Sequence, residues 1–577
     1  MKTKALFLTI LSLSAAMSAL SFNGVATIGG ITYNLVTKAK VATVVSNSGQ
    51  YKGNLRIPST VEYEGTVCNV TGIGNEAFKN CSELWSIVIP GSVTTIGESA
   101  FEACTSLSII KFEDEGLLSI GEGAFYLCTS LSSISLPSSL TAIPPGAFVG
   151  CSSLTSVFIP NSVTSIGLGA FGRCTSLTSL TIPESVTSLG EAVFLGCTSL
   201  TSIPMGKGIK VIPKNAFSGC TALNYVAIPE GIETIDEYAF NECWNISELY
   251  FPSSLTDIES NAFDALPNLI TLDITDVGNW AQIYFPDYNR NPVAWAQYVS
   301  VNGMDLTNLV IPSGVKEIQE STFPICRELK SITIPSSVTK IDGNAFYWGP
   351  KLTTVVLGSG VESIGSNAFG KCEELTDVYC YALTPPEQMY AFKDSYVNYA
   401  KLHVPSSVVT KYRNNEYWGK FGEVVAITDN DPKADMPQCA KPTIRYINGN
   451  EIFFDCSTPG VEFQSMIVDS DIGGHVGKEL YVTATYTVKV MAIREGYAPS
   501  DVTIAEINWL ESQPDVEADD LRGDVNGDGV VDVADIASVI SVMAGSAEEL
   551  RQSADVNDDG TVDVADIATV ISIMASN

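Results

Sequence analysis

Eight pentapeptides of the form A-F-x-x-C recur through the first two thirds of the 577-residue chain. They are AFKNC (77–81), AFEAC (100–104), AFYLC (124–128), AFVGC (147–151), AFGRC (170–174), AFSGC (216–220), AFNEC (239–243) and AFGKC (368–372), with VFLGC (193–197) as a variant. From Cys81 to Cys243 the cysteines fall 23 residues apart, once 24; the register reaches Leu266 and resumes at Cys326, Gly349 and Cys372. A self-similar unit of this length cannot bury its own apolar face and must stack on copies of itself, so the chain is read as a repeat solenoid.

A full unit, such as LTSVFIPNSVTSIGLGAFGRC at 154–174, contains L-x-x-V-x-I-P, then S-V-T-x-I-G, then the A-F-x-x-C turn. The alternation in L-x-x-V-x-I marks a short strand, and Pro and Gly break the pairing and force the corner. Stacking joins the strands into a parallel sheet with rungs about 4.7–4.9 Å apart. Leu154, Val157, Ile159, Ile166, Phe171 and Cys174 are expected to point inward, with Ser, Thr and Gly at the corners. The stacked cysteines come close enough for disulfides, but their side chains run in parallel, and Leu266 and Gly349 fill the same slot. Buried free thiols acting as small hydrophobes are the preferred reading over disulfide staples or a metal ladder. No C-x-x-C occurs, which gives zinc little support.

This period and these residues resemble the BspA-like branch of bacterial leucine-rich repeats, over roughly residues 24–430. The resemblance implies parallel strands with short helical turns, an N-terminal β cap (22–67), repeats over 68–380 interrupted by an insertion (276–303), and a C-terminal cap (381–428) in which Tyr412, Trp418 and Phe421 cover the last coil. It also implies a secreted or surface binder of protein or glycan rather than an enzyme. The column beside the inward positions runs Val88, Lys111, Ser135, Phe158, Thr181, Ala227, Tyr250, Asp273, Val310, Thr333, Val356 and Tyr379 and is expected to face outward as the large binding surface of a solenoid. Phe158, Tyr250 and Tyr379 could stack on a sugar or anchor a protein, although scattered exposed aromatics are ordinary.

After the polar, Pro-containing linker TDNDPKADMP (429–438), the period changes to two. The runs TIRYI, EIFFDC, VEFQSMIV, LYVTATYTVKVMAI and TIAEINWL within 439–510 predict a small immunoglobulin-like or fibronectin-like β-sandwich acting as a spacer. Cys439 and Cys456 are as well placed for a bridge as for free burial. A second linker follows at 511–522.

The chain ends on two acidic copies, DVNGDGVVDVADIASVISVMAG (524–545) and DVNDDGTVDVADIATVISIMAS (555–576), identical at 17 of 22 positions. Residues 511–577 hold 16 acids and two bases, so they carry −14 of the net charge of −33. Positions 1, 3, 5, 7, 9 and 12 of a calcium loop are filled by Asp524, Asn526, Asp528, Val530, Asp532 and Asp535, and again by Asp555, Asn557, Asp559, Thr561, Asp563 and Asp566. Val530 and Thr561 would serve through their main-chain carbonyls, and Gly529 and Gly560 sit where a sharp turn needs positive φ. Hard oxygen donors at this spacing call for two Ca²⁺ ions. Position 12 is Asp instead of the usual Glu, and the flank 515–523 is too short and polar to be an entering helix. A loop followed by one helix, duplicated, resembles the type I dockerin over residues 523–577. That resemblance implies folding on calcium and docking into a cohesin on a scaffold protein, with Val533, Ala534, Val564 and Ala565 as partner-binding positions and two equivalent docking orientations. Spacing places Ile536, Val539, Ile540 and Met543, and likewise Ile567, Val570, Ile571 and Met574, in the module's core.

At the other end, Lys2 and Lys4 precede an apolar stretch and the small-x-small tripeptide Ala19-Leu20-Ser21, the pattern of a signal peptide cleaved after Ser21 and hence of export. With 65 acids against 32 bases, the chain lacks the cations that nucleic acid would require. Its two histidines, His403 and His475, stand beside no recognisable nucleophile motif, and no phosphate loop or dinucleotide fingerprint occurs. A non-catalytic binding protein is the expectation, with a component of a polysaccharide-degrading complex as the alternative.

Overall fold

A computed structural model of the chain describes residues 22–510 except 48, 114–115, 204, 260, 264–265, 448–450, 473–482, 495–496, 498 and 501, and in the tail residues 542–543, 556 and 562. Most coils of the solenoid contribute two strands; those around Leu180 and Ile203 contribute only the shorter one. The longer comes from L-x-x-V-x-I, and partners lie in parallel 23 residues apart, as in Ser133↔Ser156 through Ser135↔Phe158. The shorter is the two-residue T-x-I segment, exemplified by Ser165–Ile166 between Ala142–Ile143 and Ser188–Leu189. A coil therefore has two rows of rungs, of which only the longer is evident from the alternation.

The six positions expected to point inward do so: Leu154, Phe171 and Cys174 are fully buried, and Val157, Ile159 and Ile166 are at most 8% exposed. The phenylalanines form a continuous ladder. From Phe78 to Phe263 adjacent rings stack with centroids 4.9–5.8 Å apart. The ladder resumes from Phe323 to Phe392 and is closed by Trp418 and Phe421, which meet Phe392 edge-on. Burying one such side chain per coil, plus the aromatic contact beyond area, gives every interface a similar apolar contribution.

The A-F-x-x-C turn is a chain of i→i−3 hydrogen bonds rather than a helix; in one coil Ala170 N donates to Gly167 O, Gly172 N to Gly169 O and Cys174 N to Phe171 O. Two residues per turn are left-handed, one before the Ala and one before the Cys, as with Gly169 (φ 58°) and Arg173 (φ 59°). The second is often not glycine: Ala103, Leu127 and Trp348 occupy it. Amide bonds to the next coil hold the strained residue in place, among them Arg173 N to Leu195 O at 2.6 Å. Glycine is required instead at the end of S-V-T-x-I-G. A Cβ at Gly190 would coincide with the backbone of Gly167 and Leu168 in the preceding coil.

The fourteen cysteines of the chain are all free. From Cys104 to Cys243, and again at Cys372, the repeat thiol reaches back one coil and donates to a phenylalanine carbonyl, at 3.0 Å from Cys104 Sγ to Phe78 O and 3.2 Å from Cys174 Sγ to Phe148 O. Neither staples nor a metal ladder is present among the described residues. Cys439 and Cys456 are not bridged either; Cys456 Sγ donates to Ala440 O at 3.0 Å.

The insertion repairs a break in the stack. The helix Val277–Trp280 is capped by Asp276, whose carboxylate accepts from Asn279 N at 2.9 Å. Trp280 Nε1 and the buried Asn291 Nδ2 both donate to Thr322 O. Tyr298–Val301 adds in parallel to Thr271–Ile274 and then folds back as a hairpin with Met304–Asp305. The long-strand sheet ends there and restarts at Asn308–Val310. At the far end Tyr412 and Trp418 are fully buried, with their polar atoms donating to Ala382 O and Pro386 O.

Beyond the solenoid, the five alternating runs are strands. Thr443–Ile447 pairs antiparallel with Glu451–Asp455, and Glu462–Ile472, Thr483–Ile493 and Thr503–Leu510 make a three-stranded sheet. An immunoglobulin-like sandwich is not seen among the described residues. By compactness the chain divides into one unit of residues 1–470 with 487–506 and a second of 471–486 with 507–577.

Candidate functional sites: the sheet face and the acidic tail

Two places carry the functional expectations. The first is the outward column on the long-strand sheet. Parallel pairing in a 23-residue register puts one residue per coil on this line, so chemistry repeats along it. Its exposure is not uniform. Lys111, Ser135 and Thr181 are exposed, and so is Phe158, at 51%. Ala227 and Tyr250 are half-buried. Asp273, Thr333 and Val356 are buried, the last at 2% exposure. The column expected to face outward is therefore open from Lys111 to Thr181 and closed at Asp273, Thr333 and Val356, with the insertion lying on Asp273 through Ser300 and Gly303.

Polar chemistry on this face is local. Tyr250 packs on Tyr225 with ring centroids 5.2 Å apart, and its hydroxyl donates to Glu248 Oε2 at 2.9 Å. Burial, then the bond to Glu248, pushes the Tyr250 phenol up. His403 stacks on Tyr379 at 4.2 Å, with Nε2 2.9 Å from Asp377 Oδ1. This trio holds an imidazole and a carboxylate but no Ser or Cys nucleophile bonded to them. His475 lies outside the described residues.

Asp273 is fully buried, with Oδ1 accepting from Ser300 Oγ at 2.6 Å and Gly303 N at 2.7 Å. Burial pushes its carboxyl up, against those two bonds and a neighbouring cation. The cation is Lys489, 5% exposed, whose Nζ donates to Thr275 Oγ1 at 2.6 Å and lies 4.0 Å from Glu230 Oε1. Burial pulls the ammonium down, while Glu230 and Asp273 oppose that shift. Sequence reading missed Lys489. In the alternating run Tyr486-Thr487-Val488-Lys489-Val490-Met491 it has the pattern of an ordinary solvated strand residue.

The second place is the acidic tail. The twelve expected calcium ligands lie outside the described residues, as do Val533, Ala534, Val564 and Ala565. Calcium therefore rests on the donor set, six hard-oxygen positions per loop around a turn glycine. Of the four described tail residues, Val542 and Val556 are buried, while Met543, placed in the core by its spacing, is 43% exposed.

Comparison with known proteins bears on both places. The family model described as BspA type Leucine rich repeat region matches in six copies, over residues 71–201, 164–285 and 297–417. The model described as Dockerin type I domain matches residues 522–574. No curated protein matches the chain. Similar solved structures include a leucine-rich repeat protein from Bacteroides ovatus, 23% identical over 70% of this chain and 100% of that one, with a TM-score of 0.41. A leucine rich cell surface protein from Faecalibacterium prausnitzii is 24% identical over 71% of this chain and 97% of that one, with a TM-score of 0.27. The pneumococcal vaccine antigen PcpA is 19% identical over 71% and 100%, with a TM-score of 0.32. With the repeat model covering more than half of its length, the chain belongs to the BspA type leucine-rich repeat family, and it carries a dockerin type I domain at its C-terminus.

Proposed function

We propose that this chain is an exported, non-catalytic binding protein. Its solenoid presents a recognition surface for a protein or glycan, and its tail tethers it through calcium to a cohesin-like module. The observation that carries the reading is the coincidence of the dockerin type I match over 522–574 with two loops at calcium-ligand spacing. Asp524, Asn526, Asp528, Val530, Asp532 and Asp535 would hold one ion, and Asp555, Asn557, Asp559, Thr561, Asp563 and Asp566 the other. The ions neutralise clustered carboxylates and supply the folding free energy that a slim apolar core lacks. Export is supported by the N-terminal pattern, and no helix among the described residues is long and apolar enough to cross a membrane.

Val533-Ala534 and Val564-Ala565 are small, apolar and identical in the two halves, which suits docking in either of two orientations. The test is retention of the full chain on an immobilised type I cohesin. Retention is expected in calcium and release in chelator. Val533→Asp or Val564→Asp alone is expected to weaken binding about twofold, since the other face still docks, and the pair together to abolish it. Retention indifferent to chelator, or none in calcium, contradicts the tether.

The dockerin match also favours a second reading, in which the chain is a non-catalytic subunit of a polysaccharide-degrading complex. Co-sedimentation of the full chain with insoluble polysaccharide would favour the subunit; binding to matrix or cell-surface protein would favour the adhesin.

A further inference from the structure

After the last coil the chain turns back along the solenoid. Tyr381 OH donates to Pro432 O at 2.7 Å. Three residues on, the Asp435 carboxylate accepts from Ser336 N at 2.8 Å and from Ser336 Oγ at 2.6 Å. Met436 and Gln438 then line a cavity of about 950 Å³ together with Leu309, Val310 and Pro312. Lys489 reaches Thr275, further still toward the N-terminus. Contacts at 381, 336, 309–312 and 275 thus run backward along the solenoid. Over the same coils the outward column is buried or half-buried: Tyr379, Val356, Thr333, Val310 and Asp273. Away from this return path Thr181, Phe158, Ser135 and Lys111 are exposed, while Val88, Ala227 and Tyr250 are half-buried by their own neighbours in the stack.

We propose that residues 431–438 and 487–494 form a built-in cover over the coils between Thr275 and Tyr381, pinned by Lys489, so that ligand recognition is confined to the open stretch between Lys111 and Thr181. The claim about recognition rests on the binding-protein reading above; the cover itself does not. Segment 429–438, whose composition reads as a free linker, is the strap of this cover, and residues 487–493 of the strand Thr483–Ile493 are its lid rather than part of a spacer.

Strand geometry supports the lid. Side chains two apart on a strand share a face, so Lys489, Met491 and Ile493 point the same way. Lys489 is bonded to the solenoid, and Met491 and Ile493 line the cavity against it. The pin is electrostatically suited to hold. The desolvated ammonium is compensated by Glu230 and Asp273, and pulling it away leaves the buried Asp273 carboxylate without a cation. Its direct partner, Thr275, is fixed in turn by donating to Phe251 O at 2.7 Å.

Methionine oxidation by hydrogen peroxide tests the cover on the full chain. Met389 is 57% exposed and serves as the internal standard, while Met491 is 3% exposed. Met491 is expected to oxidise at least tenfold more slowly than Met389. Lys489→Glu places an anion beside Glu230 and Asp273 and is expected to bring Met491 to within about threefold of Met389, with Met389 unchanged. The milder Asp435→Ala guards against a misfolded variant; it removes only the strap's bonds to Ser336 and is expected to raise oxidation of Met436 severalfold. Wild-type Met491 oxidising as fast as Met389 overturns the cover, as does a Met491 rate that neither variant nor their combination alters. The footprint needs neither calcium nor a ligand, so its failure leaves the tether standing, and failure of the tether leaves the footprint to be read.

Discussion

Phe171→Ala is expected to destabilise the solenoid by about 3–5 kcal/mol, the cost of deleting a large buried side chain whose cavity cannot collapse. The ring is fully buried and sits 5.5 Å from Phe148 and 5.8 Å from Phe194, so both neighbouring interfaces lose a partner. Stability in a stack is close to a sum over nearest neighbours, and the damage should therefore be local. Hydrogen exchange is expected to accelerate between residues 148 and 197 and stay slow around the second ladder, Phe323 to Phe392. Phe158→Ala is the control. That ring is 51% exposed, and its loss is expected to change stability by no more than about 0.5 kcal/mol. Equal costs at the two positions would contradict the assignment of inward and outward columns.

Alkaline pH is expected to unfold the solenoid through its thiols. Burial pushes Cys104, Cys197 and Cys243 from the ordinary value of 9.0 up to about 12, and Cys128, Cys151, Cys174 and Cys220 well above 9.0. A thiol whose folded value lies above its unfolded one contributes its full stability below pH 9. That contribution is lost as pH rises from 9 toward 12, at about 1.4 kcal/mol per thiol per pH unit. Several such thiols in one column act together. Circular dichroism should therefore show the β signal collapsing within this window and holding below it. Alanine at Cys104, Cys197 and Cys243 is expected to flatten the loss, although each substitution also removes a donor from a phenylalanine carbonyl. Rapid alkylation of the column by iodoacetamide at pH 8, with the fold intact, would contradict this account.

The solenoid was legible because its information is periodic. Phe171 and Cys174 recur in register, and each must meet its own copy one coil away, so spacing alone places them inside. Conformation at the turn was less legible. Arg173 and Trp348 adopt left-handed backbone that their residue types disfavour, held by their own amides donating to carbonyls of the next coil, which no local pattern announces. The covered half of the sheet face was not legible at all. Thr333 and Val356 have the same alternation as Phe158 yet are buried, and the contacts that reach the C-terminal coils come from far along the chain. Asp435 lies 99 residues from Ser336, and Lys489 lies 214 residues from Thr275. Lys489 shows the general difficulty, since a lysine in an alternating strand looks solvated whether or not a carboxylate-lined niche awaits it. In the tail the donor spacing is explicit in the sequence, whereas Met543 shows that an i, i+3, i+4, i+7 stripe does not by itself decide which of its members is covered.

The tether depends on the tail being a calcium module, and calorimetric titration of the chelator-treated full chain with Ca²⁺ tests that most directly. Two ions per chain are expected, accompanied by a gain of helical signal as the loops close and their helices form. Asp524→Ala removes the first ligand of one loop and is expected to leave one ion; Asp555→Ala does the same for the other loop, and the double variant is expected to bind none. Absence of calcium binding by the wild-type chain, or two ions still bound by the double variant, would contradict it.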